Sequence, residues 1–422
     1  MTILMVGSGG REHALIRKLA ESPRVTRLIC APGNGGVACD AECFPVSADD
    51  LPGMLALARR ENADLVFVAP DDPLALGMVD MFPANGIRAF GPSKAAARIE
   101  ASKVFAKGIM AKYGIPTAEY AVFESAADAL TYIKEKGAFP VVVKADGLAL
   151  GKGVVIAQDL AEAAAALRAM LEDGKFGDSG RRVVVEEFLT GPEVSVLAFT
   201  DGVTLAPMIS SMDHKRALDG DLGLNTGGMG TVAPNPYYTQ EIAAECMEKI
   251  FLPTVRAMQN EGCPFAGCLY FGLMLTPNGP KVIEYNARFG DPETQVVLPL
   301  LDTPLIDIVD AVVDGRLADI DIKWKDAHAA CVVLASGGYP EKYGKGKVIS
   351  GLNADGQASN VEIFHAGTAL DGGQFVTNGG RVLGVMGVGD TLAAALETAY
   401  CAVEKISFEG VHYRTDIGKK CS

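Results

Sequence analysis

The segment KVIEYNARFGDPETQ, residues 281–295, carries polar side chains whose spacing suits phosphoryl-transfer chemistry. Its apolar start predicts a strand, along which Glu284, Asn286 and Arg288 recur at every second position, and residues spaced by two project from the same face of a strand. Carboxylate and carboxamide oxygens suit Mg²⁺ held together with substrate phosphates, and a guanidinium can stabilise a transferring phosphoryl group. The alternative is an edge strand whose charges discourage pairing with other chains.

A second candidate phosphate-binding segment is VVVKADGLALGKGVVIA, residues 141–157, in which Lys144 ends a buried apolar run. The loop that follows contains Gly147, Gly151, Lys152 and Gly153. Glycines let backbone N–H groups approach phosphate oxygens closely, and the lysines add positive charge. The loop is not a Walker A loop, because its glycine spacing is too short and a glycine stands where Ser or Thr is required. A plain hairpin loop is the alternative.

The segment VVVEEFLTGPEVS, residues 183–195, predicts a purine slot at the end of a strand. Its candidate residues are Glu186, Glu187, Phe188, Leu189 and Glu193. The two apolar side chains would form the walls, the backbone would meet the adenine edge, and a carboxylate would accept the ribose hydroxyls, as is usual for apolar pockets with a few placed polar groups. An exposed acidic strand end is the alternative.

Near the N-terminus, VGSGGREHA is similar to a dinucleotide-binding fingerprint, but its third glycine would fall at Glu12. The free N–H groups of a helix that begins here can still bind one phosphate. Two further loops, DHKR at 213–216 and NTGGMG at 225–230, have compositions that carry function when ordered. A flexible surface excursion is the alternative for these loops.

Composition bounds the class of protein. A chain of 422 residues is too long for one hydrophobic core and predicts about three domains. With 49% apolar and 21% charged residues it has a soluble globular composition, with no membrane span and no signal peptide. The net charge of −14 argues against nucleic-acid binding, and nine cysteines without a CxxC pair predict buried thiols in a reducing cytoplasm.

The order of predicted elements indicates an α/β and α+β multidomain chain. Strands and helices alternate over the first hundred residues, which predicts a parallel sheet with ligands at the carboxyl ends of its strands. A helical stretch at 74–81 belongs to this region, and an amphipathic helix is predicted at 240–259. Beyond about residue 324, short strands and glycine turns predict a separate α+β module.

Taken in chain order, these motifs resemble the ATP-grasp enzymes, and within them the phosphoribosylamine–glycine ligase (glycinamide ribonucleotide synthetase) family. The resemblance covers the whole chain and rests above all on GGREHA, NTGGMG and GDPETQ. It implies an N-terminal α/β domain at 1–101, an ATP-grasp domain at 102–323 with a small mobile lobe at about 117–190, and a C-terminal α+β domain at 324–422.

The resemblance also implies a reaction. Glycine would be ligated to 5-phosphoribosylamine in purine (IMP) biosynthesis, with ATP converted to ADP and phosphate through glycyl phosphate. A carboxylate is a poor electrophile, so transfer of the γ-phosphoryl group supplies a leaving group, and such a transfer depends mainly on positioning and charge neutralisation. A soluble cytoplasmic enzyme that acts on small molecules only, as a monomer or small homo-oligomer, is expected.

Residue roles follow from the same resemblance. Lys103, Lys144 and the 147–153 loop would hold the ATP phosphates. Glu284 and Asn286 would bind Mg²⁺ or Mn²⁺. The expected catalytic residues are Arg288 and Lys152. The expected adenosine contacts are Glu186, Glu187, Phe188, Leu189 and Glu193. The expected contacts of glycine and the phosphoribosyl amine are Gly9, Gly10, Arg11, Asp213, Lys215, Asn225 and Asp291.

One departure and two alternatives accompany this interpretation. Gly272 lies where many ATP-grasp enzymes carry a further acidic metal ligand, which leaves more of the coordination to phosphates and water. Another ATP-grasp enzyme, such as a carboxylase of phosphoribosyl aminoimidazole, would use bicarbonate in place of glycine. A regulatory protein that binds nucleotide without turnover would have no need for Arg288 or the metal ligands.

Overall fold

The computed structural model describes residues 1–148, 153–173 and 177–419. The N-terminal region is a parallel five-stranded sheet of order β3-β2-β1-β4-β5, as the alternating pattern predicted. Its strands are β1 (Thr2–Gly7), β2 (Arg27–Pro32), β3 (Glu42–Cys43), β4 (Leu65–Val68) and β5 (Arg88–Phe90). Its helices are α1 (Gly10–Ala20), α2 (Val37–Asp40), α3 (Leu51–Arg60), α4 (Asp71–Leu76) and α5 (Met78–Met81).

The helix predicted over 74–81 is two short helices in the structure. Gly77 separates them with a φ of +94°, a left-handed conformation that ends a helix and favours glycine. The helix at 240–259 is similarly divided, because Pro253 lacks a backbone N–H and lies just beyond a π-helical turn at Met247–Phe251. The flanking helices are numbered α10 and α11 below.

Two helices, α6 (Lys94–Ala101) and α7 (Lys103–Tyr113), lead into the small lobe. The small lobe is an antiparallel sheet of order β6-β9-β7-β8 covered by two helices. Its elements are β6 (Tyr120–Phe123), α8 (Ala126–Lys136), β7 (Val141–Ala145), β8 (Val154–Ala157), α9 (Leu160–Leu171) and β9 (Val183–Glu187). Buried valines of β7 and β9 pack on α8 and α9, so this lobe has its own core.

The central sheet is antiparallel, of order β11-β10-β16-β17. Its strands are β10 (Glu193–Asp201), β11 (Leu205–Pro207), β16 (Ala266–Thr276) and β17 (Gly279–Asn286). The helices of this region are α10 (Gln240–Cys246), α11 (Leu252–Asn260), α12 (Thr294–Val297) and α13 (Leu305–Val313). Apolar residues of the N-terminal and central regions share two continuous cores, which fixes one against the other.

The stretch that contains the two predicted loops, 213–216 and 225–230, forms loops as well as short strands. These are β12 (Met212–Asp213), β13 (Arg216–Leu218), β14 (Leu222–Asn225) and β15 (Gly230–Ala233). Sequence reasoning missed them because each is only two to four residues long. β12 and β15 extend the C-terminal sheet, of order β12-β15-β18-β22-β19, so this stretch ties the central region to the C-terminal module.

The C-terminal module is the predicted α+β unit. Its elements are β18 (His328–Ala335), β19 (Glu362–His365), β20 (Thr368–Asp371), β21 (Gln374–Thr377), β22 (Arg381–Gly389) and α14 (Leu392–Val403). Helix α14 covers one face of the sheet, where Ala395, Ala399 and Val403 are buried. In the described parts of the chain, every helix is too short or too polar to cross a membrane.

Candidate active site

The two predicted metal ligands end β17, the edge strand of the central sheet. The register between β16 and β17 shifts at Gly272, so Ile283 is an extra residue and forms a β-bulge. Beyond the bulge, Glu284 and Asn286 project from one face while Tyr285 points into the core. The period-two prediction therefore holds for this pair. The Ile283 carbonyl at the bulge accepts from Lys144 of the small lobe, so the bulge lies against that lobe.

Gly272 leaves room for the Glu284 side chain. A Cβ at this position would lie 3.0 Å from Glu284 Cγ and 3.4 Å from Tyr270 Cε1, so a larger residue would push the Glu284 side chain aside. The absence of a side chain at Gly272, where an acidic metal ligand was considered, thus gives Glu284 the space it occupies.

Three lysines surround the Glu284 carboxylate. Lys215 lies closest, with its Nζ 3.4 Å from Glu284 Oε1, and Lys144 and Lys103 add positive potential. These cations, Lys215 above all, outweigh burial and lower the pKa of Glu284 to about 2. The carboxylate is therefore ionised at neutral pH, as a metal ligand must be.

The donor set fits a magnesium or manganese ion held mainly by phosphates. Within the described residues, no cluster of three His, Cys, Asp or Glu side chains could hold a metal by itself. Glu284 supplies one carboxylate and Asn286 one carboxamide from the same face of β17. In nucleotide sites the protein usually gives Mg²⁺ only one or two oxygen ligands, and phosphates and water supply the rest. Glu284 and Asn286 are the residues that would hold the ion.

Arg288 follows the end of β17 and lies beside Asn286. Its Nη2 donates to Asn286 Oδ1 at 3.3 Å and pairs with Glu100 Oε1 at 3.0 Å. Its Nε is buried and has no hydrogen-bond partner among the described residues, so one donor remains for a ligand. Glu100 is itself held by the Ala287 N–H at 2.7 Å, and burial raises the pKa of Glu100 to about 7.

Two lysines converge on the buried Glu186 of β9. Lys144 Nζ lies 3.0 Å from one carboxylate oxygen and also donates to the Ile283 carbonyl at 3.1 Å, while Lys107 Nζ lies 3.2 Å from the other oxygen. Burial lowers the pKa of Lys107 to about 8. Glu186 thus fixes Lys144 at the mouth of the cleft, opposite the bulged strand.

Lys103 and the start of the glycine loop are joined through Asp146. The Asp146 carboxylate accepts from Ser102 Oγ at 2.8 Å and from the Val104 N–H at 2.9 Å, which caps α7. Arg182 Nη2 pairs with the other oxygen at 2.6 Å. Lys103 Nζ donates to the Gly147 carbonyl at 3.0 Å, so this predicted ATP-binding lysine lies beside the loop. Gly153 leads into β8, whereas Gly151 and Lys152 lie outside the described residues.

The predicted adenosine residues lie where β9 ends and β10 begins. Glu187 is exposed and pairs with Lys281 at 2.8 Å, and Phe188 is 38% exposed, a large exposure for an aromatic ring. Leu189 follows it in the same connection, and Glu193 Oε2 lies 3.5 Å from Lys215 Nζ. The proximity of Glu193 and Glu284 to one lysine brings the predicted ribose and metal residues together.

The glycines at the start of α1 lie against Asp291. The Arg11 N–H donates to Asp291 Oδ2 at 3.4 Å, and a Cβ at Gly9 would lie 3.3 Å from the same oxygen. A Cβ at Gly10 would lie 2.6 Å from Gln295 Nε2, so a larger residue would displace the Gln295 side chain, which also donates to Asp291. The N-terminal and GDPETQ motifs therefore form one site, although 280 residues separate Arg11 from Asp291.

Asp213 is half-buried beside this site, with its Oδ1 directed away from water. Its Oδ1 has no hydrogen-bond partner among the described residues. Burial, and next the charge of Glu293, raises the pKa of Asp213 well above its usual value. Glu293 in turn accepts from Tyr270 at 3.1 Å and from Ser195 at 3.3 Å. Asn225 ends β14 opposite Arg216 in a hairpin, and no contact joins it to these carboxylates in the described part of the chain.

Several residues of the site were not predicted. They are Glu100, Lys107, Asp146, Glu293 and Arg381. Two of them lie on helices, where a charged residue usually marks a solvated face, and only the tertiary fold buries them. Arg381 lies in the segment TNGGRVL, residues 377–383. No local pattern in this segment indicates that it contributes to the site.

Comparisons with known proteins agree with this geometry. Family models of phosphoribosylglycinamide synthetase match the chain in three parts: the N domain at residues 1–100, the ATP-grasp (A) domain at 101–294 and the C domain at 329–420. The fold also matches a biotin carboxylase–β-gamma-ATP complex from Campylobacter jejuni, with a TM-score of 0.75 at 16% identity over 98% of this chain and 92% of that one.

The fold and site thus define an ATP-grasp enzyme. A phosphoribosylamine–glycine ligase of Caldanaerobacter subterraneus is 48% identical over 417 residues, 99% of both chains, and one of Xanthomonas campestris is 50% identical over 99% of this chain and 97% of its own. The crystal structure of the Thermotoga maritima phosphoribosylamine–glycine ligase matches with a TM-score of 0.85 at 36% identity, covering 99% and 100% of the two chains. The chain belongs to the phosphoribosylglycinamide synthetase family.

Proposed function

We propose that this enzyme ligates glycine to 5-phosphoribosylamine, with ATP converted to ADP and phosphate, and that it does so through glycyl phosphate. The observation that carries the proposal is the arrangement around β17. Glu284 lies within the electrostatic reach of Lys103 and Lys144, and Asn286, on the same face of β17, accepts a hydrogen bond from Arg288 just beyond the strand's end. That arrangement supports charge neutralisation along a triphosphate.

The roles of the residues follow from their positions. Lys144 and Lys103 neutralise the phosphates, and Glu186 and Asp146 hold the two lysines in place. A divalent ion held by Glu284 and Asn286 would supply positive charge that neutralises the phosphates. Arg288 donates its unpartnered Nε to the acyl phosphate, where a preorganised donor stabilises developing charge.

The second half of the reaction requires the amine to lose a proton. The amine attacks the acyl carbon, the bond between that carbon and the phosphate oxygen breaks, and phosphate leaves with the bond's electrons. The buried Asp213 Oδ1 is free to accept the proton, and burial makes this carboxylate a stronger base than an exposed one. At the start of α1, Gly9, Gly10 and Arg11 would face the phosphoribosyl phosphate. The Gly9 and Arg11 N–H groups, which here donate to Glu12 and Asp291, would exchange those carboxylates for the phosphate.

A phosphate-release assay tests the proposal. The protein is mixed with Mg²⁺-ATP and phosphoribosylamine, and phosphate is measured with glycine, with bicarbonate and with neither. We expect release that requires glycine. Release that requires bicarbonate would identify a carboxylase instead, and release unaffected by either would refute the ligase. The proposal includes a cytoplasmic location and small-molecule substrates alone, since a net charge of −14 disfavours nucleic acid.

A further inference from the structure

An arginine of the C-terminal module reaches into the substrate site. Arg381 begins β22, and its Nη1 donates to the Gly227 carbonyl at 2.6 Å and to the Asp291 carbonyl at 2.7 Å. Its Nη2 lies 3.4 Å from Asp291 Oδ1. The side chain is only 20% exposed, so these contacts form largely out of water, where charge-assisted hydrogen bonds are strong.

The Asp291 carboxylate is consequently held from three regions of the fold. The Arg11 N–H reaches it from the N-terminal domain, and Gln295 Nε2 donates to it at 2.9 Å from α12. Arg381 supplies the third contact from the C-terminal sheet. Since each contact comes from a different region, the position of this carboxylate depends on how the regions are assembled.

The same guanidinium supports the NTGGMG loop. A Cβ at Gly227 would lie 3.0 Å from Arg381 Cζ, so the planar group packs directly on this glycine. Tyr339, also of the C-terminal module, accepts from the Gly227 N–H at 3.1 Å. The next residue, Gly228, has a φ of +115° and approaches Asp213 so closely that its Cβ would lie 2.6 Å from Oδ1. Arg381 therefore holds both Asp291 and the loop against Asp213.

We infer that Arg381 is a positioning residue for the acceptor half of the reaction. It holds Asp291 and the Gly227–Gly228 loop so that the amine, rather than water, meets the acyl phosphate. This inference rests on the proposed function and deepens it. Without the guanidinium, water attacks the acyl carbon in place of the amine. The bond to the phosphate oxygen breaks, and glycine, phosphate and a proton are released, so ATP is consumed without ligation.

The other account of Arg381 is that it only fastens two regions together. Arg17 provides a matched control, because it also bridges the N-terminal domain and the C-terminal module. Its Nε pairs with Glu362 and its Nη1 with Asp40, both at 3.2 Å, and these contacts involve neither Asp291 nor the NTGGMG loop. A merely structural arginine should behave as Arg17 does.

The test measures phosphate released per glycinamide ribonucleotide formed, in the full-length protein with glycine, ATP and phosphoribosylamine. For Arg381→Met we expect this ratio to rise about threefold or more. The KM for phosphoribosylamine should rise about tenfold. Small displacements of positioning groups have effects of this size or larger. The KM for ATP should stay within about twofold. Arg17→Met should keep a ratio near that of the wild type.

Two more variants keep the test decisive if Arg381→Met unfolds. Arg381→Lys retains the charge, but its single nitrogen cannot replace the two nitrogens that contact the carbonyls and the Asp291 carboxylate together, so this variant should also release excess phosphate. Tyr339→Phe removes the acceptor for the Gly227 N–H and should raise the ratio less. A wild-type ratio in every folded Arg381 variant would overturn the inference. The wild-type enzyme tests the function separately, since glycine-independent phosphate release there would refute the ligase itself.

Discussion

The Lys215 ammonium lies 3.4 Å from the Glu284 carboxylate and 3.5 Å from that of Glu193. One cation therefore links the predicted metal ligand to the predicted ribose contact. When a divalent ion and a nucleotide bind, they add charges that Glu284 and Glu193 can meet without long side-chain movements. This pairing keeps the Glu284 carboxylate ionised, because the charge of Lys215 outweighs the effect of burial on the pKa of Glu284.

Replacing Glu284 with glutamine tests its role at the metal. Glu284→Gln removes the only carboxylate of the pair, and we expect turnover to fall about 10²–10³-fold, as when one preorganised charged group is lost. Titration with Mg²⁺ and Mn²⁺ in a steady-state phosphate assay measures the effect. Glu245→Gln, which breaks an exposed helical pair with Lys249, serves as the control and should be close to wild type. Wild-type metal dependence in Glu284→Gln would exclude this role.

Removing the guanidinium of Arg288 tests its role at the acyl phosphate. Arg288→Ala should lower kcat by about 10²–10³-fold, because a donor aimed at developing charge is lost. The KM for ATP should change little, since the phosphates are held mainly by the lysines. Steady-state kinetics with a melting curve for each variant separates turnover from folding. Near-normal turnover would remove Arg288 from the catalytic residues.

Two neighbouring glutamates should differ sharply in their effect on stability. Glu186→Gln leaves Lys107 and Lys144 without their buried partner, and we expect a loss of about 3–5 kcal/mol in the free energy of unfolding. Glu187→Gln removes the charge of the exposed pair with Lys281 and keeps an oxygen that can accept from the Glu119 N–H, so the change should cost about 0–1 kcal/mol. Urea denaturation of both variants measures the difference. Equal losses would show that burial of the Glu186 pair has no energetic importance.

Acid should weaken the contact between the N-terminal domain and the C-terminal module. Burial, together with nearby His13, lowers the pKa of His365 to about 3. The unfolded chain therefore takes up a proton below about pH 6.5 while the folded chain does not, so stability is complete above that pH and declines as pH falls towards 3. The slope from this one group is at most about 1.4 kcal/mol per pH unit.

Denaturation curves between pH 7 and pH 4 test this dependence. His365→Asn should be less stable at pH 7 but should lose less stability on acidification. Thr368→Val removes the hydroxyl that lies 3.0 Å from His365 Nδ1 and keeps the titrating ring, so it should retain the wild-type slope. An unchanged slope in His365→Asn would contradict the account.

Local patterns in the sequence predicted much of the fold and of the nucleotide half of the site. Alternation of strands and helices predicted the parallel sheet, and the period of two placed Glu284 and Asn286 on one face. These features depend on near neighbours in the chain, which a sequence displays directly. The β-bulge at Ile283 shifted the phase of β17 without separating the pair, since both residues follow it.

The acceptor half of the site could not be predicted in the same way. Asp291 contacts Arg11 and Arg381 only because three regions fold together. Contacts between residues this far apart in the chain leave no periodic pattern in the sequence. Glu100 lies on α6, where a charged residue usually faces solvent. Only the tertiary fold brings Arg288 against it. The four short strands between 212 and 233 were missed because they are stabilised by pairing with β18 and with one another, not by their own composition.

Oxygen transfer from glycine to phosphate is the most direct test of the central claim. Glycine labelled with heavy oxygen in its carboxylate is incubated with the enzyme, Mg²⁺-ATP and phosphoribosylamine, and the products are analysed by mass spectrometry. The account predicts one labelled oxygen in each phosphate released, with ADP as the other product. Unlabelled phosphate, or labelled AMP in place of labelled phosphate, would contradict an acyl phosphate formed beside Glu284 and Asn286.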